Sequence, residues 1–267
     1  MLYLFWPLVN KERNGQMNRI RNSKKKKPVV DQGDVMDVME KFGFQKGMEL
    51  VYAFGKMFDI KEVPLAALIQ AGNIKIPKET AIFNMSSATD CASLALGLCK
   101  ACVWSEELQK LKTVCYALKA EREYRPAVLP YRRRQEKFWK DVTAESFAMQ
   151  FLIINSRKGV KFDKIRLNEA GDFHTQECVD KAEKIAKLLA TFGIKVYCYT
   201  SRDDLDFTKV KNLVINASGF SAPGLQNEFR MILADEEWPI GYAKCPEDCT
   251  ICDCCSILGK KTFVIKH

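Results

Sequence analysis

Apolar side chains recur at helical spacing between residues 31 and 72, first Val35, Val38 and Met39, then Leu50, Val51, Phe54 and Met57, which predicts two or three short helices. Gly72 reads as a helix stop, and residues 73–77, ending in Pro77, read as a linker. The apolar run Thr80 to Phe83 predicts a strand. Ser105, Glu107 and Leu108 open a helical pattern that Leu111, Val114, Cys115 and Leu118 continue and Pro126 and Pro130 interrupt. A further helix is predicted from Arg132 to Asn155, with Phe138, Val142, Phe147, Phe151 and Leu152 as its apolar face.

The second half alternates more cleanly. A strand from Lys164 to Leu167, a helix from Gln176 to Thr191 and a strand from Ile194 to Thr200 are followed by a short helix, Asp203 to Val210, and a strand, Asn212 to Ala217. The last apolar run, Thr262 to Ile265, is a candidate closing strand. Strand and helix in turn with short links is the signature of parallel βαβ units, so the expected class is α/β, either a partial (β/α) barrel or a parallel-sheet core. The expected organisation is a disordered basic tail at 1–30, a helical segment at 31–77 and an α/β core at 78–267.

With 267 residues, 47% of them apolar, the chain can bury one sizeable core. The early apolar run from Leu2 to Val9 falls short of the roughly 18 to 20 residues a membrane span needs. It also lacks the basic flank and small-residue cleavage site of a secretory signal, so a soluble, cytoplasmic protein is expected. Eleven cysteines in such a chain point to thiolate ligands or redox chemistry rather than to disulfides. Cys178 and Cys198 stand apart and read as small buried hydrophobes.

The cysteines otherwise fall in two groups. In the run from Cys245 to Cys255, the four residues Cys245, Cys249, Cys252 and Cys255 lie at intervals of three, two and two, which resembles a compact iron–sulfur run read in reverse. Zinc is the competitor, through Cys252, Cys254 and Cys255 with His267. The first two intervals, through Cys245, Cys249 and Cys252, also match the spacing of a radical S-adenosylmethionine cluster site, but the late position suits an auxiliary or structural centre. The earlier group, Cys91, Cys99, Cys102 and Cys115, has irregular intervals of seven, two and twelve, and burial in helix faces competes with a ligand role.

Strand ends supply further candidates. In Arg166-Leu-Asn168-Glu169-Ala-Gly171-Asp172-Phe-His174 a strand-like run ends where Asn, Glu, Asp and His arrive together. Ligands of parallel α/β proteins bind at the C-terminal ends of strands, which makes Glu169 and Asp172 candidate catalytic groups and Arg166, Asn168, Thr200 and Ser218 candidate ligand-binding residues. Helix capping by Asp172 and turn chemistry at the others compete with those roles. No Gly-rich phosphate loop is present. The net charge of +9 favours polyanions, and Lys24, Lys25, Lys26 and Lys27 with Arg132, Arg133 and Arg134 are the candidate nucleic-acid contacts. Neither run carries the interleaved aromatics of a reading surface.

Taken together, Phe83-Asn-Met-Ser, Cys115-Tyr-Ala-Leu-Lys-Ala-Glu-Arg, Arg166-Leu-Asn-Glu-Ala-Gly-Asp-Phe, Tyr197-Cys-Tyr-Thr and Ser218-Gly-Phe-Ser-Ala-Pro resemble the gene product 88 domain proteins of bacteriophages and prophage-like elements. The resemblance runs from about residue 80 to the end, and takes in the Cys245 run and His267. The family pattern has an early cysteine pair ahead of a Cys-Tyr-Ala motif, which Cys91, Cys99 and Cys115 match; the stretch from Cys102 to Val114 looks like an insertion. No settled activity comes with the family; a phage origin implies a bacterial host cytoplasm. The layout is also distantly similar to radical S-adenosylmethionine barrels. That likeness implies an iron–sulfur cluster on Cys91, Cys99 and Cys115, Glu169 and Asp172 against substrate or S-adenosylmethionine, and a second metal on the C-terminal cysteines. The alternative is a zinc-stapled nucleic-acid-binding protein. Substrate and oligomeric state are not implied by either.

Overall fold

The structure, a computed structural model, describes residues 63–265 except 107–108, 125, 158, 160 and 234–235, together with residues 43, 46–47 and 49. The expected tail, most of the expected N-terminal helices, Lys24 to Lys27 and His267 lie outside the described residues. The chain divides into two compact units, one of residues 1–63 with 152–160 and the other of residues 64–151 with 161–267. In the first, residues 152–155 are the end of a helix, followed by Ser156 with its Oγ donating to the Ile153 carbonyl. All that follows concerns the second.

Its centre is a sheet of eight strands: β1 (Gln70–Ala71), β2 (Thr80–Phe83), β5 (Lys164–Leu167), β6 (Lys195–Thr200), β7 (Leu213–Ser218), β8 (Asn227–Ile232), β9 (Ala243–Lys244) and β10 (Lys261–Ile265). Their order is β1-β2-β5-β6-β7-β8-β10-β9, all pairs parallel except β1 with β2. Of the two expected architectures the parallel-sheet core is the one found, and β1 and β9 form open edges.

From β2 to β8 each strand adds on the same side of the last. Right-handed crossovers that advance in one direction leave their helices on one face. The register makes this concrete. Ala81, Ile165, Val196 and Leu213 align across the sheet, as do Phe83, Leu167, Cys198 and Ile215, and all are buried. Phe83 meets Phe138, Trp139 and Phe147, from helices α3 (Val128–Asp141) and α4 (Ala144–Asn155), at ring separations of 5.1–6.2 Å. Helix α5 (Gln176–Ala190) buries Val179, Ala182, Ile185, Ala186 and Leu189, an amphipathic stripe, against β6 and β7. Alternation along the strands gives the opposite face Arg166, Tyr197, Tyr199, Asn216 and Asn227.

Several expected elements are corrected. The helix expected from Ser105 is a hairpin, β3 (Cys102–Ser105) with β4 (Lys110–Thr113), and helix α2 (Tyr116–Glu123) starts beyond it. Trp104 and Leu111 stay exposed on that hairpin, so the helical spacing of Leu111, Val114 and Leu118 does not mark a single buried stripe. The long helix expected to Asn155 breaks at Val142, which is extended, and Thr143 Oγ1 then accepts from Ser146 N to open α4. Residues 203–210 form turns instead of a helix, because the Arg202 guanidinium holds the Phe173 and His174 carbonyls and Asp204. Gly72 ends β1 instead of a helix; a Cβ there would lie 2.5 Å from the Ile76 carbonyl oxygen.

Candidate functional site

The C-terminal ends of β2, β5, β6 and β7 lie side by side and open into a cleft of about 130 Å³. One wall is the three thiols Cys91, Cys99 and Cys115 with Tyr116; the other is Asn168, Glu169, Asp172, Tyr199, Thr200, Ser201 and Ser218. Cys91 and Cys99 flank the single-turn helix α1 (Ala92–Ala95), and Cys115 immediately precedes α2. Backbone bonds set the thiols in place: Cys99 N donates to Ser93 O, and Cys115 N to Ala101 O. Burial pushes the Cys91 thiol up to about 11, and burial followed by the nearness of Cys115 raises Cys99. Cys102 lies on the hairpin beside Thr113 and does not line the cleft.

Asp172 organises the opposite wall. Its carboxylate accepts from Ser93 Oγ at 2.6 Å, Thr200 Oγ1 at 2.7 Å, Ser201 N at 2.8 Å and Phe173 N at 2.8 Å. Burial raises its pKa, and these donors oppose the shift. The expectation that Asp172 contacts a ligand is therefore revised: with both oxygens bonded to the protein's own donors, it ties α1, β6 and its own turn together. Thr200 is revised likewise, since its hydroxyl also accepts from Arg202 N at 3.0 Å. Gly171, at φ +74°, lets the turn lie against Ser86, whose Oγ would be 1.9 Å from any Cβ there.

Two further residues of that turn line the cleft. Glu169 Oε1 accepts from Asn73 Nδ2 at 2.6 Å, and its carbonyl accepts from the Tyr116 hydroxyl. Asn168, at φ +58°, accepts from Met85 N at 3.3 Å, and its Nδ2 is buried with no hydrogen-bond partner. Ser218 is half-buried at the end of β7.

Arg166 is not in the mouth, where a ligand-binding role would place it. It lies behind, its guanidinium 5.0 Å from the Tyr199 ring centroid and 3.4 Å from the Tyr116 hydroxyl. Beyond Tyr199, on the face away from the helices, the C-terminal loop folds over the sheet. Cys245, Cys249, Cys252 and Cys255 line a small cavity of about 40 Å³ there, floored by Tyr197 and Tyr199. Burial pushes the Cys249 thiol up, and Arg166 works against it. The described cysteines are free thiols, and no three of His, Cys, Asp or Glu among the described residues are gathered closely enough to hold a metal ion.

A family model for gene product 88 matches residues 61–237, about two thirds of the chain. The chain belongs to the gene product 88 family. No curated protein and no solved structure matches it. The gene product 88 match begins earlier than the motifs that suggested it and stops before Cys245, so it contains the whole cleft and excludes the cysteine-rich loop.

The basic run of this gene product 88 protein also needs correction. Arg132 is 6% exposed and forms a buried ion pair with Glu121 at 2.9 Å, so it presents nothing to a phosphate. Arg133 pairs with Asp90 at 2.8 Å, and Arg134 lies over the Tyr131 ring. Glu121 had drawn no attention in the sequence, yet it accepts from Ala88 N and from Thr89 N and Oγ1, fastening the segment that leads to Cys91. Among the described residues no helix is long and apolar enough to cross a membrane.

Proposed function

We propose that this phage protein is a thiolate-metal enzyme whose active site is the cleft at the strand ends. The observation that carries the reading is that Cys91 and Cys99, around α1, and Cys115, ahead of α2, line one cleft with the strand-end polar groups. Three thiolates hold an iron–sulfur cluster or a metal ion and leave one position for a ligand, the arrangement of a catalytic centre. The unpartnered Nδ2 of Asn168, buried in the cleft lining, supports a polar ligand: a buried donor without a partner costs about 1–3 kcal/mol, which an oxygen of a ligand that reaches it would recover. S-adenosylmethionine, with its amino-acid group, has the chemistry for such a site. On this reading Glu169 would be the carboxylate that meets substrate, and Asp172 would position the wall.

The neutral state of Cys91 and Cys99 is compatible with this reading. A bound cation lowers thiol pKa and releases protons, so ligation would charge the sulfurs and draw them together. The single turn of α1 between Cys91 and Cys99 gives that segment little to resist it. Free thiols suit the reducing cytoplasm of a bacterial host. The competing zinc-stapled nucleic-acid reading retains Lys24 to Lys27 and Arg134 as contacts, with Arg132 and Arg133 engaged elsewhere.

Anaerobic purification of the full chain tests the proposal. The expected product is coloured, contains iron and acid-labile sulfide, and loses visible absorption in Cys91→Ser and Cys115→Ser. Colourless protein whose metal content is the same in both variants would sink it.

A further inference from the structure

We infer that the loop from Cys245 to Cys255 is a second, separate metal centre, in which Cys245, Cys249, Cys252 and Cys255 bind one thiophilic ion or cluster and Arg166 supplies the counter-charge. This does not depend on the reading of the cleft.

The cavity beneath the loop selects four of its five cysteines, leaving out Cys254. What holds the loop over that cavity is polar. Cys245 N donates to Phe263 O at 2.7 Å, Cys249 N to Lys75 O at 2.8 Å, and Asn216 Nδ2 to Cys255 O at 2.9 Å. Asn216 and Asn227, both buried in the middle of the sheet, direct their amides to Cys255 and to Ile257 just after the loop. Its isoleucine, Ile251, is 74% exposed, so the loop turns thiols inward and its apolar side chain outward. A segment without an apolar core of its own is the kind that a metal staples.

Local geometry agrees. Glu247 takes the left-handed conformation at φ +59°, uncommon for a residue with a side chain, and its N–H points at Cys245 Sγ, 3.4 Å away. An N–H donated to sulfur favours the thiolate.

Arg166 completes the case. A guanidinium does not lose its proton in a protein, so burying it demands a compensating charge or full hydrogen bonding. Arg132, Arg133, Arg202 and Arg230 each have a carboxylate within ion-pair distance. Arg166 has the Tyr199 ring, a long contact to the Tyr116 hydroxyl and the Glu169 carboxylate beyond ion-pair distance, while its buried Nε has no partner. Four thiols that bind a divalent ion release four protons and leave two net negative charges; a cluster held by four thiolates is anionic in the same way. That charge would sit across the sheet face from Arg166 and answer it.

The test is metal and sulfide analysis of the anaerobically purified full chain beside two double variants, Cys249→Ser/Cys252→Ser in the loop and Cys91→Ser/Cys115→Ser in the cleft. The loop variant is expected to lose one centre that the cleft variant keeps; sulfide lost with it identifies a cluster, and zinc lost without sulfide identifies a single ion. Arg166→Met should weaken metal retention against a chelator by about 10- to 100-fold, the usual effect of removing a supporting partner, and Arg166→Lys should restore much of it. Arg166→Met leaves every thiol in place, so it reads the counter-charge even where the serine variants fail to fold. Unchanged metal in the loop variant overturns this inference and leaves the cleft reading standing; metal lost only with the loop upholds it and defeats the cleft reading. Metal retention indifferent to Arg166→Met overturns the role of the guanidinium.

Discussion

The Arg166 guanidinium lies 5.0 Å from the ring centroid of Tyr199, and Tyr199 lines both the cleft and the cavity under the cysteine-rich loop. The same ring packs edge-on against Phe229 at 5.3 Å, and its hydroxyl meets Cys255. A desolvated cation–π contact contributes about 2 kcal/mol and an aromatic pair about 1 kcal/mol more. Tyr199→Leu should therefore lower unfolding stability by about 2–4 kcal/mol in urea titrations. Tyr199→Phe keeps the ring and should cost only about 1 kcal/mol, the worth of one hydrogen bond. Equal losses in the two variants would show that the hydroxyl, and not the stacked cation, holds the wall.

Gly171 makes a sharper demand. At φ +74° an added Cβ is strained before any contact is counted, and it would lie 1.9 Å from Ser86 Oγ and 2.6 Å from the Ser86 carbonyl oxygen. Gly171→Ala should destabilise by more than about 2 kcal/mol. Ser86→Ala in the same chain removes the side-chain clash and leaves the backbone one. Full recovery of the melting temperature in that double variant would contradict the geometry.

Strands β2 and β5 are legible in the sequence to the residue: β2 is a short, fully buried run, as parallel strands covered on both faces are, and β5 alternates Lys164 and Arg166 with the buried Ile165 and Leu167. β8 was not legible. Its Asn227, Glu228 and Arg230 look like a loop until Lys261 and Tyr242 are seen to engage Glu228 from elsewhere in the fold. The placement of Cys91, Cys99, Cys115, Glu169 and Ser218 around one cleft follows from where parallel strands end. The engagement of Asp172 and Thr200 with each other depends on tertiary contacts that no spacing encodes, as does the folding of the Cys245 loop onto the face opposite the helices.

Glu228 gives a pH prediction. Burial alone would raise its carboxyl, but hydrogen bonds from Lys261 and Tyr242 prevail and bring it down to about 2 from an ordinary value of 4.5. A depressed folded-state pKa contributes stability that is fully present above the unfolded value and is lost as pH falls through the folded one. Wild-type urea midpoints should thus decline between about pH 4.5 and pH 2 more steeply than those of Glu228→Gln, which lacks the titrating group. Parallel curves in that window would remove Glu228 as the cause.

The buried pair Arg132–Glu121 links stability to the proposed chemistry. Removing one member of a buried ion pair leaves the other charged and unpartnered, at a cost of about 3–5 kcal/mol, whereas an exposed, solvent-screened pair such as Arg133–Asp90 contributes little. Arg132→Met should therefore destabilise far more than Arg133→Met in the same denaturation assay. Glu121 also holds Ala88 and Thr89, so the loss should loosen the segment that carries Cys91. In the metal analysis, Arg132→Met should reduce the centre assigned to the cleft and spare the one assigned to the Cys245 loop. If Arg132→Met instead leaves stability intact and lowers affinity for DNA in a salt-dependent manner, the arginine serves a phosphate contact after all, and the structural role argued for it is wrong.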